Sequence, residues 1–181
     1  MEELMDQMKE KAGLVQAVVS IVSSMEEVLH RAVDITLGQG GKTIAAPGLA
    51  PESLKRLEDL CKAARLTVLS PPFRSHLSGI HTALTHADWA IAETGTLVLD
   101  SNSEDLRIAT MLSETHMAFL PVSRIVPDAP ALSAWLVEKM KSGAGYLSFI
   151  TGASRTADIE LVLATGVHGP QELHILMMEE T

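Results

Sequence analysis

Short apolar runs of strand length alternate with amphipathic helical segments along most of the chain, and this alternation narrows the folds open to it. "LVQAVVSIV" (14–22), "TIAAPGL" (43–49), "LTVLS" (66–70), "DWAIAET" (88–94), "GTLVLDS" (95–101), "HMAFLPV" (116–122), "YLSFIT" (146–151) and "ELHILMM" (172–178) are rich in Val, Ile and Leu and read as strands. Between them lie helical patterns. "SSMEEVLHRAVDITLG" (23–38) offers a capping box, Ser23 with Glu26 or Ser24 with Glu27, and a stop at Gly38. Pro51 opens a helix carrying Leu54, Leu57, Leu60, Cys61 and Ala64 on one face. "SEDLRIATMLSE" (103–114) and "APALSAWLVEKMKSG" (129–143) read as two more, the second with Leu132, Trp135, Leu136 and Met140 on one face. "SRIVP" (123–127) reads as an edge continuation, and "PPFRSHLSGIHTALTHA" (71–87) as a loop with a short helix. Strands alternating with helices predict an α/β fold whose sheet is mostly parallel and covered on both faces.

Composition tightens this reading. Hydrophobic residues make up 46% of the 181 and aromatics only 3%, so the core must be aliphatic, as suits a sheet packed under helices. The net charge of −9 argues against a nucleic-acid partner. A single cysteine, Cys61, allows no disulfide and no cysteine-ligated cluster within the chain. On its apolar helical face it reads as a core thiol. "MEELMDQMKEK" is acidic and amphipathic rather than a signal peptide, and no apolar run reaches the ~20 residues of a membrane span, so a cytoplasmic protein is expected. Residues 1–181 read as one domain, with residues 1–13 as an N-terminal helix that either packs on a partner or caps its own domain.

In open α/β sheets ligands bind beyond the carboxyl ends of strands, so the loops after strands are where chemistry is sought. The first is the knot Glu93-Thr94-Gly95-Thr96. It reads either as a tight turn or as one wall of a pocket: Gly95 allows positive φ or close backbone approach, the threonines suit an anion, and Glu93 suits a base, a nucleophile or a hydrogen-bond acceptor. The second, "ITGASRTADIE" (150–160), places Thr151, Gly152, Ser154, Arg155, Thr156 and Asp158 after a strand. It reads as an anion nest or as a capped loop, and it lacks Walker A spacing. The third, "TGVHGPQELH" (165–174), holds His168 as a general acid or base or as a hydrogen-bonded loop residue. No H-E-x-x-H, G-x-S-x-G or G-x-G-x-x-G is present, and no metal site is predicted.

"ADWAIAETGTLVL", "HMAFLPVSRIVPD" and "ITGASRTADIELVLATGVHGPQELHILMME", in that order, resemble the lactate-utilisation protein C family, built on the LUD domain. The resemblance covers roughly residues 15–181 and is strongest from Ala87 onward. It implies a three-layer α/β/α sandwich like that of glucosamine-6-phosphate deaminase, ribose-5-phosphate isomerase and the CoA transferases. It also implies a bacterial role in oxidising L-lactate to pyruvate, beside two iron–sulfur subunits that would carry the clusters this chain lacks. Carried over by position, it marks Glu93, Thr94, Gly95 and Thr96, then His116, then Thr151, Gly152, Ser154, Thr156, Asp158 and Glu160, and finally His168, Gly169 and Pro170. Ala153 stands where the pattern implies Pro, and the N-terminal region is short for the family. The expected function is thus an accessory subunit that binds a small carboxylate, with Arg155 as its charged partner, or that binds partner subunits. A free-standing enzyme on a sugar phosphate or acyl-CoA using Glu93, and a non-catalytic sensor, remain as alternatives, and a homo-oligomer is compatible with each.

Overall fold

The computed structural model describes residues 1–141, 145–156, 164–166 and 168–179. In chain order the elements are α1 (Glu2–Leu14), β1 (Ala17–Val22), α2 (Met25–Gly38), β2 (Thr43–Ala45), α3 (Pro51–Ala63), β3 (Thr67–Leu69), β4 (Thr82–His86), β5 (Trp89–Ile91), β6 (Thr96–Asp100), α4 (Glu104–Leu112), β7 (Thr115–Pro121), β8 (Ile125–Val126), α5 (Ser133–Lys141), β9 (Leu147–Thr151), β10 (Arg155–Thr156), β11 (Ala164–Thr165) and β12 (Glu172–Met178). Six strands form a parallel sheet in the order β1-β12-β7-β4-β2-β3, so the last strand inserts between the first and β7.

Both faces of this sheet are covered, which is why its strands are apolar at successive positions. Along β7, Met117 and Phe119 point to one side and Ala118 and Leu120 to the other. The first side packs against α2 and α3 through Val28, Leu29, Ala32, Val33, Leu57 and Cys61. Cys61 is buried there, and burial pushes its thiol pKa up to about 11, as a core thiol should behave. Ser24 caps α2 by accepting from the Glu27 N–H, while the Glu27 carboxylate accepts from the N–H and hydroxyl of Ser23.

The second side is not purely helical. Met8 and Ala12 of α1 pack there beside a four-stranded sheet, β8-β5-β6-β9, in which β6 runs antiparallel to both β5 and β9. The N-terminal helix therefore caps its own fold. Phe73, Ile80 and Ala109 extend this layer over Ala45 and Ala83.

Two expectations change. Residues 82–86, expected within a loop, form β4 in the middle of the parallel sheet. Its composition hid it: Thr82 and Thr85 are polar yet buried, each satisfied across the structure, Thr82 by the hydroxyl of Thr36 at 2.8 Å and Thr85 by Nε2 of His116 at 2.8 Å. Met140, expected on an inward helical face, is 78% exposed, while Leu132 alone of that set is fully buried.

Candidate functional site

Residues 93–95 of the knot lie in the turn of the β5–β6 hairpin and Thr96 opens β6, so the rule for parallel-strand ends does not govern it. Gly95 has φ +64°, and a Cβ built on it would stand 2.4 Å from the backbone N of Ala12. Gly152, just after β9, has φ +76°, and its Cβ would stand 2.2 Å from the carbonyl O of Val15. Both motif glycines thus admit the end of α1 and the turn after it.

What the loops enclose lies beside them. A cavity of about 380 Å³ opens where the carboxyl end of β9 meets the amino ends of β7 and β12. This is the reverse of the expected location for the parallel sheet, because the antiparallel second sheet brings its own strand end to that edge. Its polar lining is Thr110 at the end of α4, His116 on β7, Ser148 and Thr151 on β9, and Ser154 and His168 on the following loops. The described lining contains no Asp, Glu, Lys or Arg.

Backbone bonds hold these loops together. The Ser154 N–H donates to the Pro170 carbonyl at 2.9 Å, and the Gly166 N–H donates to the Ser154 carbonyl at 3.0 Å. A Cβ on Gly169 would meet the Ser154 side chain at 3.1 Å, so the second and third loops lie in contact.

His116 is the most perturbed group at the site. Complete burial lowers its pKa to about 4, so the imidazole is neutral at physiological pH, with Nε2 2.8 Å from the Thr85 hydroxyl. Behind Thr151 runs a line of hydroxyls: Thr151 Oγ1 lies 2.7 Å from Thr96 Oγ1, and Thr96 Oγ1 lies 2.7 Å from Thr94 Oγ1. Ser148 is braced similarly by the Ser101 hydroxyl at 2.7 Å.

The structure therefore brings together Thr151, Gly152, Ser154, His116, His168, Gly169 and Pro170 in one lining, with Thr94 and Thr96 behind it. Glu93 is exposed and outside the lining; its backbone N–H donates to the Pro127 carbonyl. Arg155 is exposed, one residue beyond Ser154, and also outside the lining, and Thr156 pairs with Ala164 in the short β10–β11 ribbon. Asp158 and Glu160 lie outside the described residues. Sequence reasoning missed Thr110 and Ser148. Thr110 is set by the last turn of α4, and Ser148 by its place on β9, whose residues 148–151 all line the cavity.

A family model described as the LUD domain matches residues 5–178. The chain belongs to the LUD-domain family. The LUD chain is 34% identical over 103 residues to "Lactate utilization protein C" of Geobacillus thermodenitrificans, a match that takes in 55% of this chain and 43% of that protein. It is 40% identical over 87 residues to the protein of the same name in Anoxybacillus flavithermus, taking in 48% of this chain and 39% of the relative. The matched stretches thus span less than half the length of these relatives. Among solved structures, a DUF162 family protein from Deinococcus radiodurans superposes with TM-score 0.69 over 98% of this LUD chain and 97% of that one, at 24% identity, and so shares the fold.

Proposed function

We propose that this LUD protein serves lactate utilisation as an accessory component that holds a small carboxylate in the cavity between β9 and the amino ends of β7 and β12. The observation that carries this reading is the lining itself: hydroxyls from Thr151, Ser154, Ser148 and Thr110 with two imidazoles, in a space of about 380 Å³. The hydroxyls of Thr151, Ser154 and Ser148, in a small, partly apolar space, suit a hydroxy or keto acid, whose carboxylate and adjacent oxygen both accept hydrogen bonds. The shared name of the relatives favours lactate or pyruvate among such acids.

In this reading Arg155, next to Ser154, meets the carboxylate at the mouth of the cavity as it enters. His116, held neutral, orients the ligand rather than trading a proton with it at physiological pH. His168 is the lining group suited to proton transfer. Glu93, outside the lining, is assigned to the surface of the knot, where it is available to a partner subunit. Electrons from lactate would pass through iron–sulfur subunits, since the chain's one cysteine is a buried core thiol.

Isothermal titration with L-lactate and pyruvate tests the pocket. Saturable binding that Ser154→Ala and Arg155→Ala each weaken supports it, and no heat with either acid removes it. A tagged pull-down from lactate-grown cells, read by the visible absorption of the eluate, tests the partnership. Iron–sulfur absorbance co-eluting with the tagged protein is the expected result, and a colourless, solitary eluate counts against the partnership.

A further inference from the structure

Strand β9 ends its sheet and pairs with β6 on one side only. Ser148, Phe149, Ile150 and Thr151 line the cavity in succession. Successive side chains of a strand point to opposite faces, so a cavity that touches all four lies along the free edge and meets backbone.

The register fixes which backbone groups stand at that edge. In an antiparallel pair, opposite residues alternate between exchanging both N–H···O bonds and exchanging neither. The Ser101 N–H donates to the Tyr146 carbonyl at 2.8 Å, one step beyond the pair Asp100–Leu147. Ser148 and Ile150 therefore give their backbone groups to Leu99 and Leu97, while those of Phe149 point away from β6. The residue opposite Phe149 agrees: the Val98 carbonyl accepts from the Asp88 N–H at 3.0 Å, on the far side of β6. Among the described residues, no protein group bonds to the Phe149 N–H or carbonyl.

Phe149 thus presents one backbone donor and one backbone acceptor side by side, the pattern with which one strand residue pairs with another. A 2-hydroxy acid reproduces the missing half. Its hydroxyl stands where a residue has N–H, and a carboxylate oxygen stands where a residue has its carbonyl oxygen. The hydroxyl donates to the Phe149 carbonyl, and the carboxylate accepts from the Phe149 N–H. A 2-oxo acid has only acceptors, so its oxygen turns lone pairs on that carbonyl. The hydroxyls of Ser148 and Ser154 do not tell the two acids apart, because each rotates to donate or to accept, whereas a backbone carbonyl only accepts.

We infer that the Phe149 backbone, at the free edge of β9, selects a 2-hydroxy acid over the corresponding 2-oxo acid by pairing with it as one strand residue pairs with another. This inference rests on the carboxylate reading of the cavity.

Isothermal titration of the full chain compares L-lactate with pyruvate. L-lactate binds about threefold to tenfold more tightly, the size of one net hydrogen bond. In a backbone-assigned NMR titration with L-lactate, the Phe149 amide proton moves downfield and its exchange with solvent slows at saturation. Pyruvate binding as tightly as L-lactate or more tightly, or a Phe149 amide that does not respond to saturating L-lactate, overturns the inference while leaving the carboxylate pocket standing. Phe149→Pro removes the N–H at an edge position where no ladder bond is lost, and Phe149→Ala, which keeps it, is the reference for the missing ring. L-lactate affinity is about threefold to tenfold lower in Phe149→Pro than in Phe149→Ala; equal affinity overturns the inference. If thermal melting shows that Phe149→Pro does not fold, the wild-type selectivity and the NMR titration carry the test. If the wild-type protein binds neither acid, the carboxylate pocket fails, and this inference fails with it.

Discussion

Gly95 and Gly152 are the two residues at which a single methyl group would do most damage near the candidate site. Each has positive φ, and the space a Cβ would take is filled by backbone, from Ala12 at 2.4 Å and from Val15 at 2.2 Å. Backbone cannot step aside as a flexible side chain can. Left-handed backbone costs an alanine about 1 kcal/mol or more, and overpacking adds about 1–3 kcal/mol. Gly95→Ala and Gly152→Ala are therefore each expected to lower the melting temperature by many degrees, whereas Gly40→Ala, at similar φ with nothing within 4 Å, carries the backbone term alone. Equal losses at all three positions would show that the contact with α1 contributes nothing. His116 supports a second prediction, read in pH. Its folded pKa of about 4 lies below the ordinary 6.5, so between these values the unfolded chain binds the extra proton. Its contribution to stability is complete above pH 6.5 and is lost as pH falls toward 4. Integrated from pH 7 to pH 5, the loss is about 2 kcal/mol. Urea unfolding at the two pH values should show that loss in the wild type and a smaller one in His116→Gln. Parallel slopes would mean that the imidazole is not buried neutral.

Among the elements, β4 shows where the sequence pattern stops being informative. Periodicity finds strands by their apolar residues, and "TALTH" has only two. Its burial becomes legible only when Thr36 and His116 arrive from α2 and β7, forty-six and thirty-one residues away in sequence, to satisfy Thr82 and Thr85. The aliphatic strands β6, β7 and β12 needed no such help and were readable directly. The same distinction separates the parts of the site. The glycines and hydroxyls of the two motif loops stand out locally, but that one hairpin turn faces a helix rather than a ligand is a tertiary fact. Thr85→Val tests the reading of β4. It preserves β-branching and volume and removes only the partner of His116 Nε2. Leaving a buried nitrogen unpaired costs about 1–3 kcal/mol. A loss near zero by chemical denaturation would mean that His116 finds another partner.

At the scale of the molecule, the two faces of the parallel sheet do different work. Helices α2 and α3 close one face with a conventional aliphatic layer and contribute no residue to the cavity lining. The other face carries α1 and the antiparallel sheet, and there the core and the candidate site share atoms: Leu173 belongs to the buried cluster with Met8 and also lines the cavity. The sequence made the α/β alternation plain, but it could not show that one covering layer is partly a second sheet, because β5, β6 and β9 look like any other strands until they pair. This asymmetry predicts that equal damage on the two faces has unequal consequences. Met8 and Leu57 are both fully buried, one on each side. Truncating either to Ala should cost about 2–5 kcal/mol. Only Met8→Ala loosens the helix whose end presses on Gly95 and Gly152. Hydrogen exchange in native conditions should therefore quicken at residues 150–154 in Met8→Ala and stay near wild type there in Leu57→Ala, once both are compared at equal global stability. If the two variants exchange alike in that segment, α1 supports the fold without setting the shape of the cavity, and the glycines in the motif loops are explained by packing alone.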